Sequence, residues 1–360
     1  MNWNRNCRSF KGIQACEISK TEGYYSCEKC EFYEPIKTKI LIIKLGAIGD
    51  VLRTTPLLEA IKEKYGYESS ITWLVKEESK TLLYNNPNID RILVYNPENI
   101  LRLQIEKFDV VLSLEIDLPG SAIATLVKAK PKYGFFLNED GYPTCYNKKA
   151  EYYLTRAFSD KINKENKKTY QEMMFDVAEL KYNKQDYSFN LTEKDLKYAE
   201  DFKKKNEITK PLIGINVGAG GRWQNKEWGQ ENIINLIEKI PSKYQVILLG
   251  GEREEVLKNK ILQKVKAIQN ESNNSIREFA SVINLCDKVI TGDTLALHLA
   301  LALKKKVIGL FLCTPANEVE GYERLEKIES KLIQDNYYSD IYNPELCKSI
   351  SVEQVLKELK

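Results

Sequence analysis

The sequence predicts an α/β protein with two doubly wound parallel-sheet domains that face one another across a cleft. In both halves of the 360 residues, short β-branched apolar runs alternate with longer helical stretches, a pattern typical of parallel sheets covered by helices. Several of these runs end in glycine loops, which open α/β sheets use to hold ligands at the carboxyl ends of their strands. With 43% hydrophobic residues, the chain is long enough to build two cores.

The first predicted domain covers residues 39–180 and opens on the apolar run Ile40–Ile43, which turns through Gly46 and Gly49 into a helix. Apolar residues on both faces indicate a strand buried between helix layers. Further strands are predicted at 70–75, 92–95 and 108–114. Residues 135–168 are rich in Tyr, Asn and Lys, and we expect a loop-rich insertion there, with a flexible polar segment as the alternative.

The second predicted domain covers residues 181–345 and repeats the alternation. Strands are predicted at 212–218, 245–249 and 306–312, and the run 288–294 leads into a helix at 295–303. The last residues, 346–360, are predicted to form a C-terminal helix.

Four of the eight cysteines lie in a short lead, residues 1–38, before the first strand. They are Cys7, Cys16, Cys27 and Cys30. The pair Cys27-Glu-Lys-Cys30 has a spacing suited to chelation, and the other two thiolates could complete a tetrahedral structural site for zinc or iron. Free thiols in a solvated lead are the first alternative, and disulfides are the second, because a cytosol keeps thiols reduced.

Charge and hydropathy limit the partners. A formal net charge of +3 is nearly balanced, which argues against a nucleic-acid binder. The sequence has no apolar run of about 18 residues and no signal-peptide core at its start, so we expect a cytoplasmic protein. Peripheral membrane association is compatible with this expectation, because a soluble enzyme can act on a lipid-linked acceptor.

Asp50 stands where the first helix begins, and it has two interpretations. A carboxylate at this place can cap free backbone amides and interact favourably with the helix dipole. It can also serve as a base at the carboxyl end of the first strand, where open α/β sheets bind their ligands. The strand and helix alone favour neither.

Four motifs follow one another between residues 39 and 315. They are Lys44-Leu-Gly-Ala-Ile-Gly-Asp50-Val-Leu with Thr55-Pro56, a glycine-rich loop with Arg222, Lys226 and Trp228, the strand end Gly250-Gly251-Glu252, and Gly292-Asp293-Thr294 followed by His298. In these motifs and their order the chain resembles glycosyltransferase family nine, the bacterial heptosyltransferases of lipopolysaccharide core synthesis. One departure is Ser113-Leu-Glu115, where many members have Asp-x-Gln, and this departure affects the expected acceptor side.

The resemblance implies the GT-B architecture of two Rossmann-like domains and an inverting transfer that needs no cofactor for its chemistry. The donor is expected to be a nucleotide sugar, ADP-heptose in the best-known members, and the acceptor a hydroxyl of a glycan, a lipid-linked glycan or a protein. By position, the resemblance implies that Asp50 is the general base. The donor-binding residues that it implies are Lys226, Glu252, Asp293, Thr294, His298, Gly220 and Gly221. The acceptor-side residues that it implies are Gly49, Arg53 and Glu115.

The chemistry of these residue types agrees with such a transfer. A hydroxyl that attacks an anomeric carbon needs a base, and the departing diphosphate needs positive groups such as Lys226 and the helix start at Thr294. Each residue also has a plainer interpretation: a solvated lysine, a capping Asp293, or a histidine satisfied in the helix packing.

Two other functions remain open at this stage: a GT-B enzyme of the nucleotide-sugar epimerase type, and a non-catalytic nucleotide-binding scaffold. A nicotinamide-dependent dehydrogenase is disfavoured, because Gly46-Ala-Ile-Gly49 lacks the three-glycine fingerprint.

Overall fold

The computed structural model describes residues 3–10, 12–220 and 223–359. The chain divides into two compact units. The first comprises Met1–Ala47, Pro56–Asn163 and Glu172–Gln185, and the second comprises Ile48–Thr55, Lys164–Gln171 and Asp186–Lys360. The units therefore differ from the predicted domains 39–180 and 181–345, because the short segments 48–55 and 164–171 pack with the second unit.

The described residues form two sheets and the helices that cover them. The strands are β1 (Thr38–Ile43), β2 (Ser69–Val75), β3 (Arg91–Val94), β4 (Val110–Ser113), β5 (Lys132–Leu137), β6 (Pro143–Cys145), β7 (Leu212–Asn216), β8 (Gln245–Leu249), β9 (Ile268–Gln269), β10 (Lys288–Gly292), β11 (Lys306–Phe311) and β12 (Leu325–Glu329). The α-helices are α1 (Glu17–Glu22), α2 (Ile48–Thr54), α3 (Leu57–Tyr65), α4 (Glu77–Lys80), α5 (Pro97–Ile105), α6 (Leu118–Leu126), α7 (Glu151–Phe158), α8 (Asp160–Glu165), α9 (Tyr170–Val177), α10 (Glu193–Lys205), α11 (Gln230–Lys239), α12 (Glu255–Leu262), α13 (Ile276–Leu285), α14 (Leu295–Ala302), α15 (Glu345–Lys348) and α16 (Val352–Glu358).

The first sheet has the order β3-β2-β1-β4-β5-β6. Its pairs are parallel except for β5 and β6, which are antiparallel. Strand β1 is central, and its residues Ile40–Ile43 are fully buried, as the continuous apolar run predicts. The strand order reverses between β1 and β4, the kind of place where doubly wound sheets bind ligands.

The second sheet has the order β12-β11-β10-β7-β8-β9 and is parallel throughout. Its reversal lies between β7 and β10. Helix α14 follows β10, and all of its residues after Leu295 are buried, which is expected of a helix that is apolar on every face. Helix α16 packs into the core of this unit through Val352 and Val355, and Leu359, directly after the helix, joins the same core.

The predicted loop-rich insertion at 135–168 is wrong in character, because this segment contains the end of β5, strand β6 and helices α7 and α8. Several of its aromatic residues pack against one another. Phe136 stacks on Tyr146 with ring centroids 4.4 Å apart, and Phe135 lies 5.8 Å from Tyr153.

The N-terminal lead is held against the first unit. Cys7 pairs with Pro35 in an antiparallel bridge. Arg8 forms an ion pair with Asp90 and donates a hydrogen bond of 2.8 Å to the carbonyl of Tyr67. None of the helices formed by the described residues is long and apolar enough to cross a membrane.

Candidate active site

Asp50 lies in the first turn of α2, as the third residue of the helix. Asp50 is therefore not the N-cap residue, and the interpretation of Asp50 as an N-cap does not hold. Its side chain is 35% exposed, and one carboxylate oxygen lies 3.4 Å from Nη1 of Arg53, one turn further along. Solvent can therefore reach a carboxylate that a cation holds in place.

Arg53 is fixed by three different contacts. Besides Asp50, its Nη2 donates a hydrogen bond of 2.8 Å to the carbonyl of Glu318, and its guanidinium lies 4.1 Å from the ring centroid of Tyr170. Burial opposes the charge of Arg53, but Asp50 and Asp293 outweigh this effect and raise its pKa. A permanent positive charge is thus held between two carboxylates.

Asp293 follows the last residue of β10 and pairs with Lys226. The Lys226 Nζ lies 3.0 Å from Oδ2 of Asp293 and 2.9 Å from its backbone carbonyl. The loop that carries Lys226 approaches β10 so closely that a Cβ on Gly292 would lie 2.7 Å from the Lys226 carbonyl. Burial by itself would raise the pKa of Asp293, but Lys226 and His298 hold it well below its usual value. The Asp293 carboxylate is therefore ionised.

His298 lies on α14 and is only 4% exposed. Its Nδ1 is 3.1 Å from the hydroxyl of Tyr187, and its Nε2 is 3.6 Å from Oδ1 of Asp293. The packing of α2 on α14 places Gly49 against the ring, because a Cβ there would lie 3.2 Å from its Cδ2. Asp293 precedes α14, whereas His298 lies within it.

Thr294 is the N-cap residue of α14, but its side chain does not cap the helix. Its hydroxyl is hydrogen-bonded instead to the Asn216 amide at 3.3 Å and the Thr291 hydroxyl at 3.1 Å. Backbone amides in the first turn of α14 are therefore left without this cap, as an anion-binding helix start requires.

The two glycine loops of this unit are joined by a carboxylate that sequence reasoning missed. Glu254 accepts hydrogen bonds from the amides of Gly220 at 3.0 Å and Gly251 at 2.9 Å. The predicted nucleoside contact Glu252 is exposed, and the predicted Gly221 lies outside the described residues. Burial, followed by the nearby Glu254, raises the pKa of Glu227.

Glu115 lies in the first unit, after β4. Its Oε1 is 2.7 Å from the Nζ of Lys44 and accepts a hydrogen bond of 2.7 Å from the amide of Gly46. The carboxylate therefore ties the loop after β1 to the end of β4, at the reversal of strand order. Asp117, two residues later, caps α6 by accepting from the amide of Gly120 at 2.9 Å.

The predicted cysteines line one cavity in the N-terminal lead. Its volume is about 440 Å³, and Cys7, Cys16, Cys27 and Cys30 all contribute to its wall. All eight cysteines of the chain are free. Within the described ranges, no three His, Cys, Asp or Glu side chains form a group that could hold a metal ion, so the four thiols share a cavity without converging on one point.

The second unit thus brings together most of the predicted site residues. Asp50, Arg53, Lys226, Asp293 and His298 interact with one another directly or through their charges. Sequence reasoning missed the residues that contact this group or support those contacts, which are Tyr170, Gln171, Tyr187, Glu318 and Tyr338. Among these, Tyr338 donates to Oε2 of Glu318 at 3.1 Å. No motif marks them: Tyr170 and Gln171 begin α9, and the others lie outside the named strands and α-helices.

Chemically, this unit offers a partly exposed carboxylate paired with Arg53, together with a second cation, Lys226, an imidazole and an uncapped helix start. A carboxylate can accept a proton from a hydroxyl, and positive groups with free amides can stabilise a phosphate that departs. The two functions lie in one unit on adjoining helices, α2 and α14.

The sequence profile of glycosyltransferase family 9 (heptosyltransferase) matches residues 100–340, more than half of the chain. The lipopolysaccharide heptosyltransferase 1 of Campylobacter coli is 24% identical over 353 residues, which span 89% of this chain and 98% of that protein. The structure of a family 9 glycosyl transferase from Veillonella parvula has a TM-score of 0.71 at 21% identity, covering 89% of this chain and 95% of that one. The Escherichia coli ADP-heptose lipopolysaccharide heptosyltransferase II has a TM-score of 0.65 at 17% identity, covering 89% and 97%.

These structural similarities confirm the predicted fold, two parallel-sheet α/β domains of the GT-B type. The family match confirms the resemblance drawn from the four motifs. This protein is a glycosyltransferase and belongs to family 9, the heptosyltransferases.

Proposed function

We propose that this protein transfers a heptose from a nucleotide-activated donor, ADP-heptose, to a hydroxyl of a lipopolysaccharide-core type glycan, with inversion at the anomeric carbon. The observation that carries the proposal is the grouping of Asp50 and Arg53 on α2 with Lys226, Asp293 and His298 in one unit. The donor identity is supported by the E. coli relative of the same fold, whose name includes ADP-heptose.

In this proposal Asp50 is the general base. An inverting displacement places the attacking hydroxyl opposite the leaving diphosphate, so the base must be a group that the acceptor can reach. Asp50 is 35% exposed, and Nη1 of Arg53 lies 3.4 Å from its carboxylate. The proton of the acceptor hydroxyl passes to this carboxylate as the glycosidic bond forms.

Lys226, His298 and the start of α14 form the proposed diphosphate site. Lys226 brings a positive charge, and the first amides of α14 are not capped by Thr294, so both can stabilise the negative charge that develops on the leaving phosphate. Asp293 would repel a phosphate if it stood alone. Its contacts with Lys226 at 3.0 Å and His298 at 3.6 Å offset this repulsion.

The nucleoside is proposed to bind along the glycine loops that follow β7 and β8. Glu254 joins Gly220 to Gly251 and therefore shapes this surface, while the exposed Glu252 is free to reach a ribose hydroxyl. A loop without side chains lets a ligand approach the backbone closely.

Donor choice can be tested by thermal unfolding with a panel of nucleotide sugars. A ligand present at 100 times its dissociation constant adds about 2.7 kcal/mol to the free energy of unfolding. We expect ADP-heptose and ADP to raise the melting temperature, and UDP- and GDP-sugars at the same concentration to have a much smaller effect. A larger shift with a uridine or guanosine sugar would refute the proposed donor.

We also propose that the cysteine-lined cavity of the lead binds one zinc or iron ion. Four thiols that line one cavity are the donor set that these metals accept. Binding would require the thiols to converge, because they do not form a metal-binding group in the described residues.

We expect about one equivalent of metal per chain, lost when Cys27 and Cys30 are both changed to serine. Elemental analysis of protein purified without chelator under reducing conditions measures it. Serine at both Cys145 and Cys347, which lie outside the lead, is the matched control and should keep the metal. If the wild-type protein contained no metal, the proposed metal site would be refuted, and the cysteines of the lead would be free thiols.

The acceptor is proposed to be lipid-linked and reached by docking on an anionic membrane surface. Leu101 and Ile105 lie one turn apart on α5 and are 62% and 77% exposed, and Leu126 at the end of the adjoining α6 is 53% exposed. Lys107 and Lys128, which follow these two helices, form a parallel β-bridge through their backbones. Apolar side chains bordered by cations suit an interface with anionic headgroups.

Co-sedimentation with anionic phospholipid vesicles tests this surface. Serine at both Leu101 and Ile105 should reduce binding, whereas serine at Leu196 of the second unit, which is 46% exposed, should not. Equal sedimentation of all three proteins would refute the proposed membrane surface.

We propose that the enzyme lies in the cytoplasm, because a reducing compartment keeps thiols free, as its eight cysteines are.

A further inference from the structure

Four side chains of the second unit form a chain of polar contacts: Gln171, Tyr187, His298 and Asp293. The Gln171 Nε2 lies 3.4 Å from the Tyr187 hydroxyl, which lies 3.1 Å from the His298 Nδ1. On the other side of the ring, Nε2 is 3.6 Å from the Asp293 carboxylate. His298 is the one histidine in the sequence. Of the four side chains, Gln171, Tyr187 and His298 are buried, and Asp293 is partly exposed.

The charge on Asp293 determines which group donates and which accepts in each of these hydrogen bonds. A carboxylate paired with Lys226 at 3.0 Å is ionised and can only accept, so the histidine nitrogen that faces it must carry a proton. If Nε2 carries the one proton of a neutral imidazole, Nδ1 is an acceptor, and the Tyr187 hydroxyl must donate to it. The oxygen of Tyr187 then accepts from the amide of Gln171.

Both rings are held in the protonation states that this direction requires. Burial lowers the pKa of His298, with the charge of Arg53 acting in the same sense against the opposing effect of Asp293. Burial also raises the pKa of Tyr187 well above its usual value. The Tyr187 ring packs edge-on against Tyr322 with centroids 5.6 Å apart, which fixes the position of its hydroxyl.

We propose that Tyr187, oriented by Gln171, is a positioning residue that keeps His298 in the tautomer with its proton on Nε2. A protonated Nε2 faces Asp293 as a donor and can also donate to a phosphate oxygen. With the opposite tautomer, a lone pair would face the carboxylate and the phosphate, and both contacts would become repulsive.

The second half of this inference rests on the proposed donor site, while the tautomer does not depend on it. The expected consequence is that Tyr187→Phe weakens donor binding roughly tenfold, the loss typical of one member of a buried hydrogen-bond chain. Turnover at saturating donor should change little, since Tyr187 is not proposed to touch the reacting atoms.

Nuclear magnetic resonance can read the tautomer directly, because a two-bond proton–nitrogen correlation of ¹⁵N-labelled protein will contain one imidazole. In the wild type we expect a protonated Nε2 and a bare, hydrogen-bonded Nδ1. In Tyr187→Phe the Nδ1 resonance should move to the position of a nitrogen without a hydrogen bond. Gln171→Glu should draw the Tyr187 proton away, so Nδ1 should become protonated.

Tyr198→Phe is the matched control, because it removes a hydroxyl that accepts from Asn274 at 2.6 Å in the same unit. It should leave the imidazole resonances and the donor affinity unchanged. A protonated Nδ1 in the wild type, or an Nδ1 resonance that does not respond to Tyr187→Phe, would overturn the proposed direction of the chain.

Calorimetry with ADP separates this result from the proposed function. If the tautomer is as expected and Tyr187→Phe also weakens ADP binding, both are supported. If the tautomer is as expected but ADP binds equally well to both proteins, the placement of His298 in the donor site is wrong and the chain itself stands.

Discussion

Asp50→Asn is expected to lower turnover by about a hundred- to ten-thousandfold, the contribution of a positioned general base. Asparagine cannot accept the proton of the acceptor hydroxyl. Donor affinity should persist, because Lys226, His298 and the start of α14 are unchanged, so kcat falls while KM for the donor stays similar. Steady-state kinetics with a saturating acceptor measures both.

The fold should tolerate this change. Asp50 is 35% exposed and meets Arg53 at 3.4 Å, and such a pair contributes up to about 1 kcal/mol. Arg53 also keeps its contacts with the Glu318 carbonyl and the Tyr170 ring. Denaturant unfolding therefore separates a lost base from a lost fold.

Asp117→Asn is the matched control for Asp50→Asn. Asp117 caps α6 through the amide of Gly120, and asparagine caps a helix about equally well, so turnover should remain at the wild-type level. Near-normal transfer by the folded Asp50→Asn protein would falsify the role of Asp50 as the base. The next candidate would then be Glu115, which is engaged with Lys44 and Gly46.

Lys226→Ala is expected to weaken binding of ADP by about ten- to a hundredfold, the effect of one charge-assisted phosphate contact. If Lys226 were the solvated lysine of the plainer interpretation, its removal would cost the fold little. The structure corrects this expectation, because Lys226 is the partner of the largely buried Asp293. Its loss should therefore also lower the free energy of unfolding by about 2 kcal/mol.

The double variant Lys226→Ala/Asp293→Asn distinguishes the two effects. Removing the carboxylate relieves the unpaired charge, so stability should recover while ADP affinity stays low. Calorimetry measures the ADP affinity, and denaturant unfolding measures the stability, of the wild type, the single variant and the double variant. If ADP affinity returned to the wild-type level in the double variant, Lys226 would act only by neutralising Asp293 and would not touch the phosphate.

Much of the fold was predictable, because unbroken apolar runs in the sequence indicate buried parallel strands. The predicted strand at 245–249 coincides with β8, and those at 70–75 and 306–312 differ from β2 and β11 by one residue at an end. The prediction of a loop-rich insertion at 135–168 is wrong because Tyr, Asn and Lys are common in loops but are not confined to them. In the structure, tyrosines such as Tyr146 and Tyr153 pack against phenylalanines.

The site was predictable only where a motif names it. Asp50, Lys226 and Asp293 follow strands or glycine loops, and the chain topology brings such positions together. Tyr187 and Glu318 come from connecting segments with no periodicity, and their role depends on tertiary contacts with His298 and Arg53. Glu252 was chosen by its place in the motif, whereas Glu254 is the carboxylate that binds the glycine loops.

The most direct test of the account is the fate of ADP-heptose with the purified enzyme and a lipopolysaccharide core acceptor lacking heptose. We predict that ADP is released only when the acceptor is present, and that nuclear magnetic resonance of the product shows a heptose linked with the anomeric configuration opposite to that of the donor. Release of free or isomerised heptose without an acceptor, or a product that retains the donor configuration, would contradict the proposed transfer and the role of Asp50 in it.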